Sequence, residues 1–283
     1  MDTNNDLAQR YEVISEDLEY ARVGDMPLLA RLYRPRDATG FASVVDVHGG
    51  AWVANDRTQN AAIDQAVAAA GTAVLALDFR LAAAAPYPAS IADINLGIRW
   101  LKANVARFGG NPACVGGLGT SSGGHQLWLN VLRPRDPRYA AMKLVGADNV
   151  DASLSFVVVC WPISDPVARY RMARETGNER LVRNHDAFFL TEAAMAEANP
   201  QAILESGEVR NLPAALLIQG TADANVTPDM ADRFVAAYTR AGGGITLRKF
   251  EGQPHTFIGQ NPTSAASIEA LGVITDFIRQ QTH

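Results

Sequence analysis

The sequence is poor in several features that would point to other classes of protein. Only two cysteines, Cys114 and Cys160, occur in 283 residues, too few for a disulfide framework. Both fall in strand-like apolar runs, where buried free thiols are the first expectation and a disulfide the second. Cysteine and histidine show no zinc-ligand spacing, so no metal and no cofactor are expected. No run of about 18 apolar residues occurs, so no membrane span is expected. The opening MDTNNDLAQR lacks the apolar stretch of a signal peptide, which reads as a soluble, cytoplasmic protein. Positive charge is not in excess. A net charge of −5 and a pI near 5.6 argue against nucleic acid or an anionic membrane surface as partner. Internal repeats are absent.

What is there is an ordinary globular composition, 48% hydrophobic and 19% charged, with apolar mass for a large core. Two strand-like runs, around Tyr11–Ile14 and Leu28–Tyr33, suit an antiparallel pair at a sheet edge. From Ser43 onward short Val/Leu-rich runs alternate with amphipathic helices. Ser43–Val47, Thr72–Leu77, Cys114–Leu118, Leu154–Cys160 and Ala214–Gln219 read as strands covered on both faces. Ile245–Phe250 alternates, as an edge strand does. Ile91, Ile94, Ile98, Leu101 and Val105 form one helical stripe. Thr227-Pro228 reads as an N-cap and first-turn proline opening Met230–Arg240. Ile268, Leu271, Ile274 and Ile278 mark a last helix, whose pattern suits either packing on the sheet or a homodimer contact.

This alternation predicts an α/β fold with a mostly parallel, doubly wound sheet flanked by helices. The roughly fifty residues between Cys160 and Ala214 exceed what one crossover helix needs. They carry helical patterns at Pro166–Arg174 and Thr191–Glu197. Residues 164–210 therefore read as a small helical cap on a core made of 1–163 and 211–283. It would sit near the C-terminal strand ends, where open α/β sheets bind ligands.

The stretch Gly116–His125 places Gly119-Thr120-Ser121-Ser122-Gly123, spaced Gly-x-Ser-x-Gly, between a strand and a helix. A strand turning abruptly into a helix pushes the central serine clear of the sheet, at a helix N-terminus that favours negative charge. No Lys-Ser or Lys-Thr follows these glycines, so a phosphate cradle is disfavoured. A nucleophilic serine needs a base, and the base needs an orienting group. Of five histidines, His283 is terminal and His185 lies in the insertion. His125 follows Ser121 on its own helix, and His48 ends a buried strand beside two glycines. His255, in a loop directly after the strand Ile245–Phe250, is left as the base. Asp223, at the tip after Ala214–Gln219, is the first choice of carboxylate. Asp165 is its rival, and Asp229 reads as a first-turn helix carboxylate. Backbone N–H groups of Gly49, Gly50 and Ser122 would form an oxyanion hole, with His48-Gly49-Gly50-Ala51-Trp52 letting bare main chain approach the substrate.

Together these residues resemble the α/β-hydrolase fold, and within it the hormone-sensitive-lipase-like esterases and their short-chain carboxylesterase relatives. The resemblance covers residues 28–283. It rests on His48–Trp52, Asp78-Phe79-Arg80-Leu81, Pro86-Tyr87-Pro88-Ala89, Gly119–Gly124, Gly220–Asp223 and His255, with the triad in the order Ser, Asp, His. Thr120 and Ser122 stand where the family usually has an acidic residue and Ala. Arg80-Leu81-Ala82-Ala83-Ala84 replaces its Arg-Leu-Ala-Pro-Glu.

The resemblance implies acyl transfer from a small-molecule ester through Ser121, His255 and Asp223. Trp52, Trp161, Phe188, Phe189, Val226 and Phe257 are the expected pocket residues, lining a small aromatic cavity suited to short acyl chains. An arylformamidase or other amide hydrolase would use the same triad. A ligand receptor on a hydrolase scaffold is the non-enzymatic alternative, though such receptors typically lose the histidine that is present here.

Overall fold

A computed structural model describes residues 11–209 and 211–282. The first ten residues, on which the expectation of no signal peptide rests, lie outside the described residues, as does His283.

Two long antiparallel strands come first, β1 (Val13–Val23) and β2 (Met26–Pro35). Then follow β3 (Phe41–Val47), α1 (Ala61–Ala69), β4 (Ala73–Leu77), α2 (Ala89–Asn104), β5 (Gly110–Thr120), α3 (Ser122–Leu132) and β6 (Phe156–Cys160). Four helices separate β6 from the next strand: α4 (Pro166–Glu175), α5 (Glu179–Phe189), α6 (Glu192–Glu197) and α7 (Pro200–Glu205). The chain finishes with β7 (Ala214–Gly220), α8 (Pro228–Arg240), β8 (Ile245–Phe250), the single turn α9 (Phe257–Gln260) and α10 (Ala265–Gln280). The eight strands make one sheet in the order β1-β2-β4-β3-β5-β6-β7-β8. Pairing is antiparallel from β1 to β4 and parallel across the rest.

Adjacent residues of the central strands enter different cores. Val45, Leu75, Val157 and Leu217 pack with the apolar stripe of α2 and with Trp128 of α3 and Phe234 of α8. Their neighbours Val44, Val74, Val158 and Leu216 pack with Ile63 and Val67 of α1 and Ile274 and Ile278 of α10. This is the strand period of two written into a sheet covered on both faces. Each large aliphatic side chain so covered contributes roughly 1.5–3 kcal/mol. The last helix thus packs on the sheet through Ile274 and Ile278, while Ile268 is left 58% exposed.

Three local expectations need adjustment. Thr227 holds the N-cap position of α8, but its side chain accepts no capping hydrogen bond. Cys114 and Cys160 are both free, and only Cys160 is buried, since Cys114 lies in the half-exposed first part of β5. The insertion holds four helices rather than two, each opened by a side-chain cap: Asp165, Asn178, Thr191 and Asn199. Among the described residues no helix is long and apolar enough to cross a membrane.

Candidate active site

The sheet order places β4 on one side of β3 and β5 on the other. Loops leaving the C-terminal ends of β3 and β5 diverge there, opening the crevice where doubly wound sheets bind ligands. Ser121 stands at the end of β5 with φ 51° and ψ −119°, a conformation costing a non-glycine residue on the order of 1–3 kcal/mol. The surrounding hydrogen bonds hold it there. Its N–H donates to Cys160 O at 3.0 Å, and its carbonyl accepts from the N–H groups of His125 and Ile163. Close packing explains the flanking glycines: a Cβ on Gly123 would lie 2.0 Å from Val47 O, and one on Gly119 3.1 Å from Gly123 O.

Ser121, His255 and Asp223 are brought into one hydrogen-bonded line. His255 Nδ1 lies 2.7 Å from Asp223 Oδ2, and His255 Nε2 lies 2.9 Å from Ser121 Oγ. Asp223 is fully enclosed, yet its Oδ1 accepts from the N–H groups of Asn225 and Val226 at 2.8 Å each. Gln219 Nε2 adds a bond to Oδ2 at 3.1 Å. Burial alone would raise this carboxyl, but the His255 bond, the His255 charge and the two backbone bonds outweigh it, so its pKa falls below the ordinary value. An ionised carboxylate only accepts, so His255 Nδ1 carries the proton and Nε2 is left as acceptor for the Ser121 hydroxyl.

The other described histidines are packing groups. His48 stacks on Phe79 with ring centroids 4.3 Å apart. His125 Nδ1 accepts from Trp52 Nε1 at 3.1 Å, and its Nε2 donates to Ala198 O. His185 Nδ1 donates to Leu181 O at 2.7 Å. Burial pushes His125 down to about 4 and His185 down to about 3. Asp165 caps α4 and pairs with Arg233 and Asn199.

One expected oxyanion donor is otherwise engaged. The N–H of Gly49 donates to Thr120 Oγ1 at 3.0 Å, so it is not free for substrate. The N–H groups of Gly50, Ala51 and Ser122 have no acceptor among the described residues. Gly50 needs its glycine, with φ 123° and a hypothetical Cβ 2.1 Å from Ala54 O.

A cavity of about 430 Å³ opens over Ser121 and His255, walled by the loop after β3, by Trp161 and by α4 and α5. Of the six expected pocket residues only Trp161 borders it. Trp52, Phe188 and Phe189 stack on one another and on His125 and His185, sealed in the core beneath the insertion. Val226 is buried beneath the Asp223 turn, and Phe257 packs on Phe250 and Trp161. Aromatic character marked these positions, but an aromatic residue after a strand serves the core as readily as a cavity. Arg169, Arg180, Asn184 and Asn225, which do line the cavity, carried no sequence signal beyond lying in the insertion or just past the Asp223 tip.

An eight-stranded, mostly parallel sheet with a serine at a strained turn after its fifth strand is an α/β-hydrolase fold. Residues 31–238 match the family described as BD-FAE, and the chain belongs to that family. Esterase LipC of Mycobacterium tuberculosis is 31% identical over 198 residues, which are 68% of this chain and 47% of that protein. Isoprenylcysteine alpha-carbonyl methylesterase ICME of Arabidopsis thaliana is 24% identical over 260 residues, 88% of this chain and 59% of its own. The chain spans about half the length of these curated relatives. The solved structure of esterase B from Lactobacillus rhamnosis superposes with a TM-score of 0.80 at 21% identity, covering 95% of this chain and 86% of that one. Esterase Est2 of Thermogutta terrifontis, with propionate bound, gives 0.75 at 22% identity and covers 94% of both chains.

Proposed function

We propose that the protein is a serine carboxylesterase acting on small esters through an acyl-enzyme intermediate. The observation that carries this is the unbroken line from Ser121 Oγ to His255 Nε2 and from His255 Nδ1 to Asp223 Oδ2, at 2.9 and 2.7 Å, on the wall of a cavity. His255 takes the Ser121 proton as the oxygen attacks the ester carbonyl, and Asp223 stabilises the imidazolium. The developing oxyanion is met by the N–H groups of Gly50, Ala51 and Ser122. The alcohol leaves with the proton from His255, and water activated by the same imidazole frees the acid. The LipC and ICME likenesses support ester bonds as the target. The modest cavity, and the propionate held by Est2, support short acyl groups. The helices within 164–210 act as the cap that closes the cavity, since α4 and α5 supply one of its walls.

The test is hydrolysis of p-nitrophenyl acetate, butyrate and octanoate by the protein and by Ser121→Ala, with N-formylanilide alongside. Activity greatest on the short esters and absent from the variant is expected. Equal rates with Ser121→Ala overturn the mechanism, a rate rising towards octanoate overturns the short-chain preference, and a preference for the formanilide moves the reading to amide cleavage.

A further inference from the structure

The substrate class can be narrowed from the cavity wall, on the basis of the esterase reading above. Arg169 of α4 borders the cavity and is 1% exposed. Burying a guanidinium is costly unless it is paired, yet among the described residues it forms no ion pair. Its Nε donates to Asn225 O at 3.0 Å, and its Nη2 bonds Asn225 Oδ1. Nη1 is buried without an acceptor among the described residues. The Trp52 ring lies 5.8 Å from its central carbon, which steadies the cation without satisfying that donor.

A second guanidinium lies nearby. Arg180 of α5 borders the same cavity and is exposed, and no carboxylate pairs with it among the described residues. Both border one cavity, and the Arg180 charge adds to burial in lowering Arg169, against the larger opposing pull of Asp223. No Asp or Glu borders the cavity among the described residues. Trp161, also in the wall, has a buried indole N–H without a partner. In a chain of net charge −5, two arginines without a direct carboxylate partner among the described residues, on the wall that also holds Ser121, are out of keeping with the composition. The Asp223 charge favours the Arg169 cation, but that carboxylate is already engaged by His255, Gln219 and two backbone N–H groups.

We infer that the substrate carries a carboxylate beside the scissile ester, and that the guanidiniums of Arg169 and Arg180 on the cavity wall receive it. Binding brings a negative charge against the two guanidiniums, relieves their mutual repulsion and anchors the ester over Ser121. A planar guanidinium suits a carboxylate better than a lysine would. Substrate charge then sets specificity as much as acyl length does.

The test compares matched pairs of esters that differ in one charge. With the carboxylate on the alcohol side the pair is 4-acetoxybenzoate and 4-acetoxybenzamide. With it on the acyl side the pair is monoethyl glutarate and ethyl pentanoate. The expected result is kcat/KM favouring the anionic member of at least one pair by roughly tenfold to a hundredfold, as charge-assisted hydrogen bonds commonly give. That ratio should fall towards unity in Arg180→Gln and in Arg169→Met, and recover partly in Arg169→Lys. Because the readout is a ratio, loss of folded enzyme in the buried Arg169 variants cancels, and the exposed Arg180→Gln carries the test if they fail to fold.

Equal handling of both members by an enzyme that still requires Ser121 overturns this inference and leaves the esterase reading standing. A preference that survives both arginine substitutions overturns it as well. Should no ester be cleaved, the esterase reading fails separately, and calorimetric titration with glutarate decides. Binding that weakens with added salt and is lost in Arg180→Gln upholds the anion site, and no binding ends it.

Discussion

The backbone N–H of Gly49 donates to Thr120 Oγ1 at 3.0 Å, tying the loop after β3 to the residue beside Ser121. Thr120 Oγ1 in turn donates to Asn60 Oδ1 at 3.1 Å, and Asn60 Nδ2 donates to Asp46 Oδ1 at 2.9 Å. In the proposed mechanism Gly49 is thus a strut for the loop that carries Gly50 and Ala51 and is not itself an oxyanion donor. Thr120→Val keeps the shape and removes both hydrogen bonds. It should lower kcat/KM for esters roughly tenfold to a hundredfold, somewhat less than the loss of an oxyanion donor itself. It should also destabilise the fold by about 1–3 kcal/mol, since buried partners are left unsatisfied. Thr120→Ser should restore most of both. Steady-state kinetics with urea unfolding of the three proteins checks this, and an unchanged kcat/KM in Thr120→Val would show that the strut is dispensable.

Asp223 and Asp165 are the two carboxylates that the sequence offers to orient His255, and their surroundings separate them. Asp223 faces His255 Nδ1, whereas Asp165 caps α4 and binds Arg233 and Asn199. Asp223→Asn should reduce kcat by about 10⁴, because the imidazole loses its orienting charge. Asp165→Asn should leave kcat within a few-fold and instead lower stability by about 1 kcal/mol, as weakened caps do. Asp223 has its pKa lowered in the fold, so the stability it contributes is present above the ordinary carboxylate pKa and is lost as pH falls through the lowered value. Paired kinetics and denaturation of the two variants would reverse the assignment if the larger kcat loss fell on Asp165.

Gly123 and Gly272 give opposite expectations for the same substitution. A Cβ at Gly123 would stand 2.0 Å from Val47 O and 2.4 Å from His48 O, both main-chain atoms that cannot move aside. Gly123→Ala should force the start of α3 off β3, costing several kcal/mol or preventing folding. Gly272 sits on the exposed face of α10 with nothing within 4 Å of a hypothetical Cβ. Gly272→Ala should stabilise the protein by roughly 0.5–1 kcal/mol, the ordinary helix preference for alanine. Thermal unfolding of the two variants reads both, and a stable Gly123→Ala would mean that the elbow is looser than its contacts imply.

The strands and the line Ser121–His255–Asp223 were legible in the sequence because each rests on local chemistry. Val-rich runs mark covered strands, glycines mark close approach, and a serine after β5, an aspartate after β7 and a histidine after β8 are brought to one end of the sheet by its topology. Helix α5 also has a local signature, with Asn178 as its cap and Leu181, His185, Phe188 and Phe189 on one face. The same Phe188-Phe189 pair also suits a pocket wall, which masks the helical pattern. The cavity wall was not legible. Arg169 becomes notable only through what fails to pair with it in space, and whether Gly49 offers or uses its N–H depends on the Thr120 rotamer.

Asp64 of α1 is fully buried, and neither of its oxygens has a hydrogen-bond partner among the described residues. Burial, and then the charge of Asp46, hold its pKa well above the ordinary carboxylate value, and burial raises Asp46 as well. A raised folded-state pKa favours the native protein fully only below the unfolded pKa, about 4. The contribution declines as pH rises towards the raised value, because the unfolded chain gives up a proton that the folded chain retains. Asp64→Asn removes that proton linkage while keeping the shape. The variant should therefore be more stable than the parent at pH 8, by on the order of 1–3 kcal/mol, and the gap should narrow at pH 5. Urea unfolding of both proteins at the two pH values measures the difference. A gap independent of pH would show that Asp64 titrates normally, and a parent that gains on the variant as pH rises would reverse the sign of the linkage.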